Sequence, residues 1–93
     1  MKVHYAPRAR ADLAEIGEYS RQAFGSAVAS ALETYMRATI ARIAAMPESG
    51  ASVPERESVR MVPLVRYPLR IFYSASEGAV TILHVRHTAR RPW

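Results

Sequence analysis

The sequence predicts an α+β fold, a two-layer sandwich in which an antiparallel helix hairpin covers one face of a mainly antiparallel sheet. Two observations indicate it. Apolar residues recur at helical spacing through the first half of the chain, whereas the second half holds runs rich in β-branched and aromatic residues. At 93 residues, the chain has room for one hydrophobic core, so residues 1–93 are predicted to form a single domain.

The first predicted element is a short strand, KVHY, at residues 2–5. Pro7 follows at a position suited to the first residue of a helix, which is predicted from Arg8 to about Gln22. Ala6 has no side-chain acceptor and is therefore a poor N-cap. The apolar stripe of this helix comprises Ala9, Leu13, Ile16 and Ala23, with Tyr19 beside it.

Gly25 interrupts the helical pattern, and Ser26 is the predicted N-cap of a second helix that runs to about Ala45. Because the connection is only about four residues long, the two helices must lie antiparallel. Each helix has one apolar stripe, so the hairpin must cover a further apolar layer. The stripe of the second helix comprises Val28, Leu32, Tyr35, Met36, Ile40 and Ile43.

Residues 46–58 are predicted to be a loop, because prolines and a glycine interrupt any regular element there. Three strands are predicted after it, at residues 59–65, 67–75 and 79–86. The segment Ser76-Glu77-Gly78 is a tight-turn sequence, so the last two strands should form a hairpin.

Positive charge is concentrated in the second half of the chain. The formal net charge is +5, and arginine supplies twelve of the thirteen positive charges. Residues 58–93 carry six of these arginines against a single acid, Glu77. Guanidinium groups bind phosphates and carboxylates in two-point contacts, so this half predicts a surface for a polyanionic or acidic partner. A GC-rich genome, which favours arginine and alanine codons, would give the same bias without a binding function.

Strand alternation places Arg66 and Arg70 on the same side of the predicted sheet. The residues that alternate with them are predicted to face the helices, namely Tyr67, Leu69, Ile71 and Tyr73. Phe72 would then share an open outer face with the two arginines, an arrangement suited to base stacking and phosphate contact. The alternative is an ordinary solvated sheet face.

Several classes of site and location are disfavoured. The chain has no cysteine, which excludes disulfides and thiolate zinc sites. His4 and His84 lack any metal-ligand spacing, so neither a metal nor a cofactor is expected. No apolar run approaches the roughly 20 residues of a membrane span, and the first residues lack the apolar core of a secretory signal. We therefore expect a soluble, cytoplasmic protein without a membrane partner.

The second half of the chain resembles the carboxy-terminal signature of the ParE/RelE superfamily of bacterial toxins. In that signature, a strand with tyrosine, arginine and a phenylalanine-tyrosine pair leads through a turn to a strand ending in valine-x-histidine and then alanine-arginine. The matching residues here are Tyr67, Arg70, Phe72, Tyr73, Val85, His87, Ala89 and Arg90. The first half matches more weakly, with a short strand, Pro7, the run Ala11-Asp12-Leu13 and a long helix.

The resemblance implies a toxin that is neutralised by a cognate antitoxin, and two activities occur in the superfamily. ParE-like members inhibit DNA gyrase, whereas RelE-like members cut messenger RNA in the ribosome. This chain lacks the lysines of RelE-like enzymes, and no tyrosine follows its tail arginine, so the resemblance favours the ParE-like branch. Whether the protein is an enzyme stays open. If it is a ribonuclease, the resemblance implies the catalytic candidates Arg70, His87 and Arg90.

The candidate site residues fall into two sets. The predicted target-binding residues are Arg60, Arg66, Arg70, His87, Arg90, Arg91 and Trp93. The predicted antitoxin-binding residues are Tyr19, Leu32, Tyr35 and Met36, which serve equally well as core. His87 also has a structural interpretation, in which its ring bonds the tail to the sheet, and we favour that interpretation over a catalytic one.

Overall fold

A computed structural model of the chain describes residues 1–88. Within these residues the elements are β1 (Lys2–Tyr5), α1 (Pro7–Phe24), α2 (Ser26–Ala45), β2 (Ala51–Ser52), β3 (Arg60–Pro63), β4 (Leu69–Ser76) and β5 (Ala79–His87). The strands form one sheet in the order β1-β5-β4-β3-β2. All neighbours are antiparallel except β1, which pairs in parallel with β5. The predicted α+β sandwich is confirmed.

The helix hairpin turns on a single residue, Gly25, rather than on a four-residue connection. Gly25 has a φ of +91°, a left-handed conformation that glycine adopts without the strain of a side chain. It is also the N-cap of α2. The prediction that Ser26 caps this helix is wrong, because Ser26 already lies in the first helical position, where its hydroxyl makes no capping bond. At α1, Pro7 begins the helix and Ala6 provides no side-chain cap, as expected.

The predicted loop at residues 46–58 contains the short strand β2, so the sheet has five strands instead of four. Tyr73 fixes the start of this loop: its hydroxyl donates to the carbonyl of Pro47 (2.7 Å) and accepts from the N–H of Gly50 (3.0 Å). A Cβ at position 50 would lie 2.6 Å from the Tyr73 hydroxyl oxygen, so only glycine allows this approach. These bonds hold the loop where Ala51 and Ser52 pair with β3 as an additional edge strand.

Apolar side chains are buried on both faces of the sheet. On the helix face, one cluster joins the helices to the strands and includes Ile40, Ile43, Ile71, Tyr73 and Ile82. On the opposite face, which we call the outer face, a smaller cluster forms where the segment 53–59 folds over the strands. That cluster comprises Phe72, Val53 and Val59, with Met61 and Leu83 packed against them.

The outer cluster corrects the prediction of an open outer face with an exposed aromatic ring. Phe72 does lie on that face, but it is only 1% exposed. Val53 and Val59 cover it because the backbone N–H of Val53 donates to the carbonyl of Val59 (3.0 Å) and closes the covering segment. Phe72 therefore cannot stack with an external base.

Two further differences from the predicted alternation have local causes. The pairing of β4 with β5 shifts register after Phe72, so that Leu83 is an extra residue and simple alternation fails in β5: Ile82 and Val85 both face the helix layer. Strand β4 begins at Leu69, which leaves Tyr67 in the preceding bend, although its side chain still packs against the helix-face cluster. The two-residue turn at Glu77 and Gly78, both with positive φ, confirms the predicted hairpin.

The apolar stripes of the helices end before the tip of the hairpin. Near Gly25, Tyr19 and Phe24 are 65% and 62% exposed and contact each other edge to face, with ring centroids 6.2 Å apart. Val28, predicted to belong to the core stripe, is also exposed. The tip therefore carries apolar side chains that the sheet does not cover. Within residues 1–88, neither helix is long and apolar enough to cross a membrane.

Candidate functional site

Two arginines from neighbouring strands lie side by side on the outer face. Arg70 of β4 pairs in register with Arg86 of β5, and directly opposed residues of an antiparallel pair share a face. Their neighbours Leu69, Ile71 and Val85 all belong to the helix-face cluster, which places both arginines on the outer face. Both are half-buried. Among the described residues, neither forms an ion pair with a carboxylate.

A buried histidine holds the guanidinium of Arg86. The Nε2 atom of His84 lies 3.4 Å from Arg86 Nη1. A guanidinium can only donate, so Nε2 must accept, and the ring proton is assigned to Nδ1. His84 is 2% exposed, and its ring lies against Phe72 with centroids 5.7 Å apart. Burial and the contact with Phe72 therefore hold the imidazole in place beside Arg86.

Asp12 of α1 orients His84 from the other side. Its Oδ2 lies 3.1 Å from His84 Nδ1 and also accepts the backbone N–H of Val85 at 3.0 Å. Strand β1 covers β5 only as far as Ile82, so within residues 1–88 the Val85 N–H has no strand partner on that edge. The Asp12 carboxylate accepts the N–H that a neighbouring strand would otherwise accept. It thereby links α1 to the edge of β5 and, through His84, to the outer face.

The Asp12 carboxyl is held in its ionised form. Burial by itself raises the pKa of Asp12, but hydrogen bonds from the Val85 N–H, from His84 and from Arg8 outweigh that effect. The pKa of Asp12 is consequently lowered from its ordinary value of 3.8. Asp12, His84 and Arg86 thus form a chain of hydrogen bonds that runs from a fixed anion to a cation on the outer face. We call it the Asp12–His84–Arg86 chain.

The other predicted target-binding arginines of the described residues point elsewhere. Arg66 was expected beside Arg70, but it lies in the bend before β4, with its guanidinium carbon 5.8 Å from the centre of the Tyr35 ring on α2. Arg60 pairs in register with Tyr73 and therefore lies on the helix face. Its Nη1 donates to the carbonyls of Glu48 (3.2 Å) and Gly50 (2.8 Å). Their roles in target binding stay predictions.

His87 is also separated from Arg70. It pairs in register with Leu69, which belongs to the helix-face cluster, so His87 lies on the face opposite to Arg70. The side chain is exposed at the end of β5. Its roles in catalysis or in holding the tail stay predictions. Arg90, Arg91 and Trp93, which complete the predicted set, lie outside the described residues.

The predicted antitoxin-binding residues divide between core and surface. Leu32 and Met36 are 7% and 5% exposed and belong to the helix-face cluster. They also form the floor of a groove of about 820 Å³ between α1 and α2, whose rim carries Glu18, Arg21, Glu33 and Arg37. Tyr35 instead contacts Tyr67, with ring centroids 5.5 Å apart, and Tyr19 lies exposed near the hairpin tip.

Sequence reasoning missed the Asp12–His84–Arg86 chain. Asp12 and His84 are 72 positions apart, so no spacing signal joins them. A single indication was available: Asp12 belongs to the run that resembles the superfamily, although that resemblance assigns it no role. The register shift opposite Phe72 was also invisible, and it is this shift that turns His84 away from the helix layer.

Comparison with solved structures assigns the fold. A chain of the chromosomal ParDE toxin–antitoxin system from P. aeruginosa superposes with a TM-score of 0.81 at 22% identity, covering 94% of this chain and 95% of that one. The isolated E. coli RelE toxin gives a TM-score of 0.62 at 15% identity, covering 98% and 87%. The intact E. coli RelBE toxin–antitoxin complex also gives 0.62, at 16% identity, with 97% and 98% covered. The chain therefore has the fold that these three solved structures share, and this fold defines its structural class.

Within that class, the sequence itself identifies the branch. Residues 3–92 match the family model of ParE toxins of the parDE type II toxin–antitoxin systems. The chain belongs to this ParE toxin family, and the expected toxin class is confirmed. The search of curated proteins found no match.

Proposed function

We propose that this ParE-family toxin inhibits DNA gyrase and is neutralised by an antitoxin encoded beside it. The observation that carries the proposal is the family match, which spans residues 3–92 and therefore nearly the whole chain. The higher structural similarity to the ParDE chain than to RelE, with TM-scores of 0.81 and 0.62, supports the same branch.

The positions of the catalytic candidates favour gyrase inhibition over messenger RNA cleavage. A ribonuclease must bring a base, an acid and a cation to one phosphodiester. Arg70 and His87 lie on opposite faces of the sheet and cannot meet at one phosphate within the described fold. The RelE-like activity therefore stands as the alternative that the experiment must exclude.

For the antitoxin, we propose the groove between α1 and α2 as one contact site. Its floor is apolar, formed by residues such as Ile16, Leu32 and Met36, and such floors provide the anchors that set the lifetime of a complex. Two acids and two arginines share the rim, so charge there contributes chiefly to encounter rate and selectivity. An antitoxin segment with apolar side chains along one face would fit this groove.

Purified toxin, freed of its antitoxin, tests the main proposal in a supercoiling assay with gyrase and plasmid DNA. We expect cleaved DNA to accumulate on gyrase and supercoiling to fall, and prior addition of antitoxin should abolish both effects. Unchanged supercoiling at high excess of toxin contradicts the proposal. If the same toxin cuts message at codon-phased positions in a translation extract, the RelE-like alternative is correct.

Blocking the groove tests the antitoxin site separately. Ala29 is half-buried and lines the groove, whereas Ala31 is exposed and does not. We expect Ala29→Trp to weaken antitoxin binding by about tenfold or more, in keeping with the loss of a central anchor contact. Ala31→Trp is the matched control and should bind as wild type in calorimetry at moderate salt. Equal affinities for the two variants would exclude the groove.

A further inference from the structure

The pairing of Arg70 with Arg86 requires an explanation. Like charges placed directly opposite each other on neighbouring strands destabilise a sheet. Neither guanidinium is neutralised by a carboxylate among residues 1–88, and both are half-buried, which weakens the screening by water. Such an arrangement is stabilised when an external anion binds between the two groups.

We propose that Arg70 and Arg86 form an oxyanion-binding site on the outer face, in which the Asp12–His84 pair acts through hydrogen bonds to hold the Arg86 guanidinium in place. The ligand we infer is a phosphate group of nucleic acid. Directly opposed residues have Cβ atoms about 5 Å apart, so both guanidinium groups can reach one anion.

The chemistry of the two arginines favours phosphate over carboxylate. A carboxylate has two oxygens in one plane and is satisfied by a single guanidinium fork. A phosphate presents oxygens in several directions, so forks from two strands can bind it together. Phe72, the next residue of β4 on the outer face, is covered by Val53 and Val59 and cannot stack with a base, which predicts recognition of the backbone without sequence preference.

The Asp12–His84 pair restricts the Arg86 side chain before an anion binds, and an isolated surface arginine lacks such a restraint. A free arginine side chain loses rotamer freedom when it binds, and that loss weakens affinity. Here the His84 Nε2 atom accepts from Arg86 Nη1 and leaves the other guanidinium N–H groups available for the anion. Asp12 in turn accepts from Nδ1 and keeps the ring in the tautomer that can accept at Nε2. Asp12 and His84 are therefore positioning residues.

In the setting of the proposed function, this site would contact DNA held by gyrase. That last step rests on the proposed function, whereas the oxyanion site does not, because binding is measured on the toxin alone. Failure of the gyrase assay with an intact phosphate site would leave the site standing, and the reverse result would leave gyrase inhibition standing.

The first experiment titrates full-length toxin with inorganic phosphate, and in parallel with acetate at equal ionic strength, while nuclear magnetic resonance follows the arginine Nε–Hε signals. We expect phosphate to shift the signals of Arg70 and Arg86 more than those of Arg37 and Arg42, which lie on α2. Acetate should give smaller shifts. Shifts spread evenly over all arginines, or equal effects of the two anions, would overturn the proposal.

The second experiment measures binding of a fluorescently labelled oligothymidine by anisotropy. Arg70→Ala and Arg86→Ala should each weaken binding by roughly tenfold, as expected for loss of hydrogen bonds to a charged group. Arg42→Ala, from the exposed surface of α2, is the control and should change affinity less than twofold. Binding of an acidic peptide that exceeds binding of the oligonucleotide would show that the site serves a carboxylate partner, contrary to the proposal.

Two substitutions at one position separate positioning from simple structural support. His84→Gln can place its amide oxygen near the former Nε2 atom and keep an acceptor for Arg86, so its oligonucleotide affinity should remain within about threefold of wild type. His84→Asn can bond Asp12 but ends short of Arg86, and its affinity should fall by roughly tenfold. Melting curves verify that both variants are folded. If both lose affinity equally while folded, His84 does not act through Arg86, and the proposal is wrong on that point.

Discussion

The two faces of the sheet are built from adjacent residues of the same strands but are covered by different parts of the chain. Ile71 on the helix face and Phe72 on the outer face are 0% and 1% exposed, so burial alone does not distinguish them. Two helices cover Ile71, whereas one short segment, residues 53–59, covers Phe72. Beyond that segment the outer face carries the half-buried pair Arg70 and Arg86. The helix face is therefore covered by a whole layer, whereas the outer face leaves two arginines partly accessible to solvent.

The outer face is only partly apolar, because it holds both a buried aromatic ring and partly accessible cations. An outer face covered entirely by apolar packing would leave no cation accessible, and an entirely open one would leave Phe72 in water. The segment 53–59 buries the aromatic ring at one end of the face, and the arginines occupy the other end, beside Pro63. A small domain thus combines a second apolar cluster with a charged surface.

Truncation of the two adjacent residues tests this contrast and should give the largest effects. Ile71→Ala should lower the free energy of unfolding by about 4 kcal/mol, because the rigid layer of helices cannot collapse into the cavity. Phe72→Ala removes more atoms, but the covering segment can move inward, so we expect a loss of about 3 kcal/mol. Urea unfolding measures both values. Val65→Ala, at a position 88% exposed, is the control and should stay within about 0.5 kcal/mol.

Hydrogen exchange shows where each loss acts. Phe72→Ala should speed exchange at Val53, whose N–H bonds to Val59, by local opening of the covering segment. Ile71→Ala should act through global unfolding and speed exchange throughout α2. If both variants give the same exchange pattern, the two clusters form one cooperative unit and the contrast between the faces fails.

The sequence predicted most of the architecture, because its elements rely on local rules. The helical spacing, Pro7 at the start of α1 and the turn at Glu77-Gly78 are local signals, and all three were correct. The strand β2 was missed because it has only two residues, which gain their strand conformation from pairing with β3. The cap of α2 was assigned to Ser26 because a serine before a helical run is a strong signal, yet Gly25 outweighs it through its positive φ.

The candidate site could be predicted only in part, because it depends on register and on contacts between distant residues. Alternation correctly placed Arg70 on the outer face but failed for Arg66, since the strand begins after it. Arg86 lies in the basic second half of the chain, but only the register of β4 and β5 shows that it stands directly opposite Arg70. The contact of Asp12 with His84 bridges a helix and a strand edge, and no local pattern encodes it.

Asp12 is the point at which the helix layer controls the outer face, and its substitution should have a smaller effect that depends on pH. The folded-state pKa of Asp12 lies below its ordinary value of 3.8, so the ionised carboxylate contributes stability above that pH. The contribution is lost as the pH falls through the folded-state pKa. Asp12→Asn has one acceptor oxygen for its three donors, and we expect about 1 to 2 kcal/mol less stability at pH 7. The difference in the free energy of unfolding between wild type and Asp12→Asn should narrow as the pH falls from 3.8 through the folded-state pKa, because the Asp12 carboxylate of wild type is then also protonated. Urea unfolding between pH 7 and pH 2.5 measures this difference.

The control is Glu33→Gln, which removes an exposed ion pair with Arg37 and should shift the free energy of unfolding by less than about 0.5 kcal/mol throughout this pH range. A gap for Asp12→Asn that stays constant down to the lowest pH would mean that shape rather than charge joins α1 to the edge of β5, and the link from the helix layer to Arg86 would then be steric.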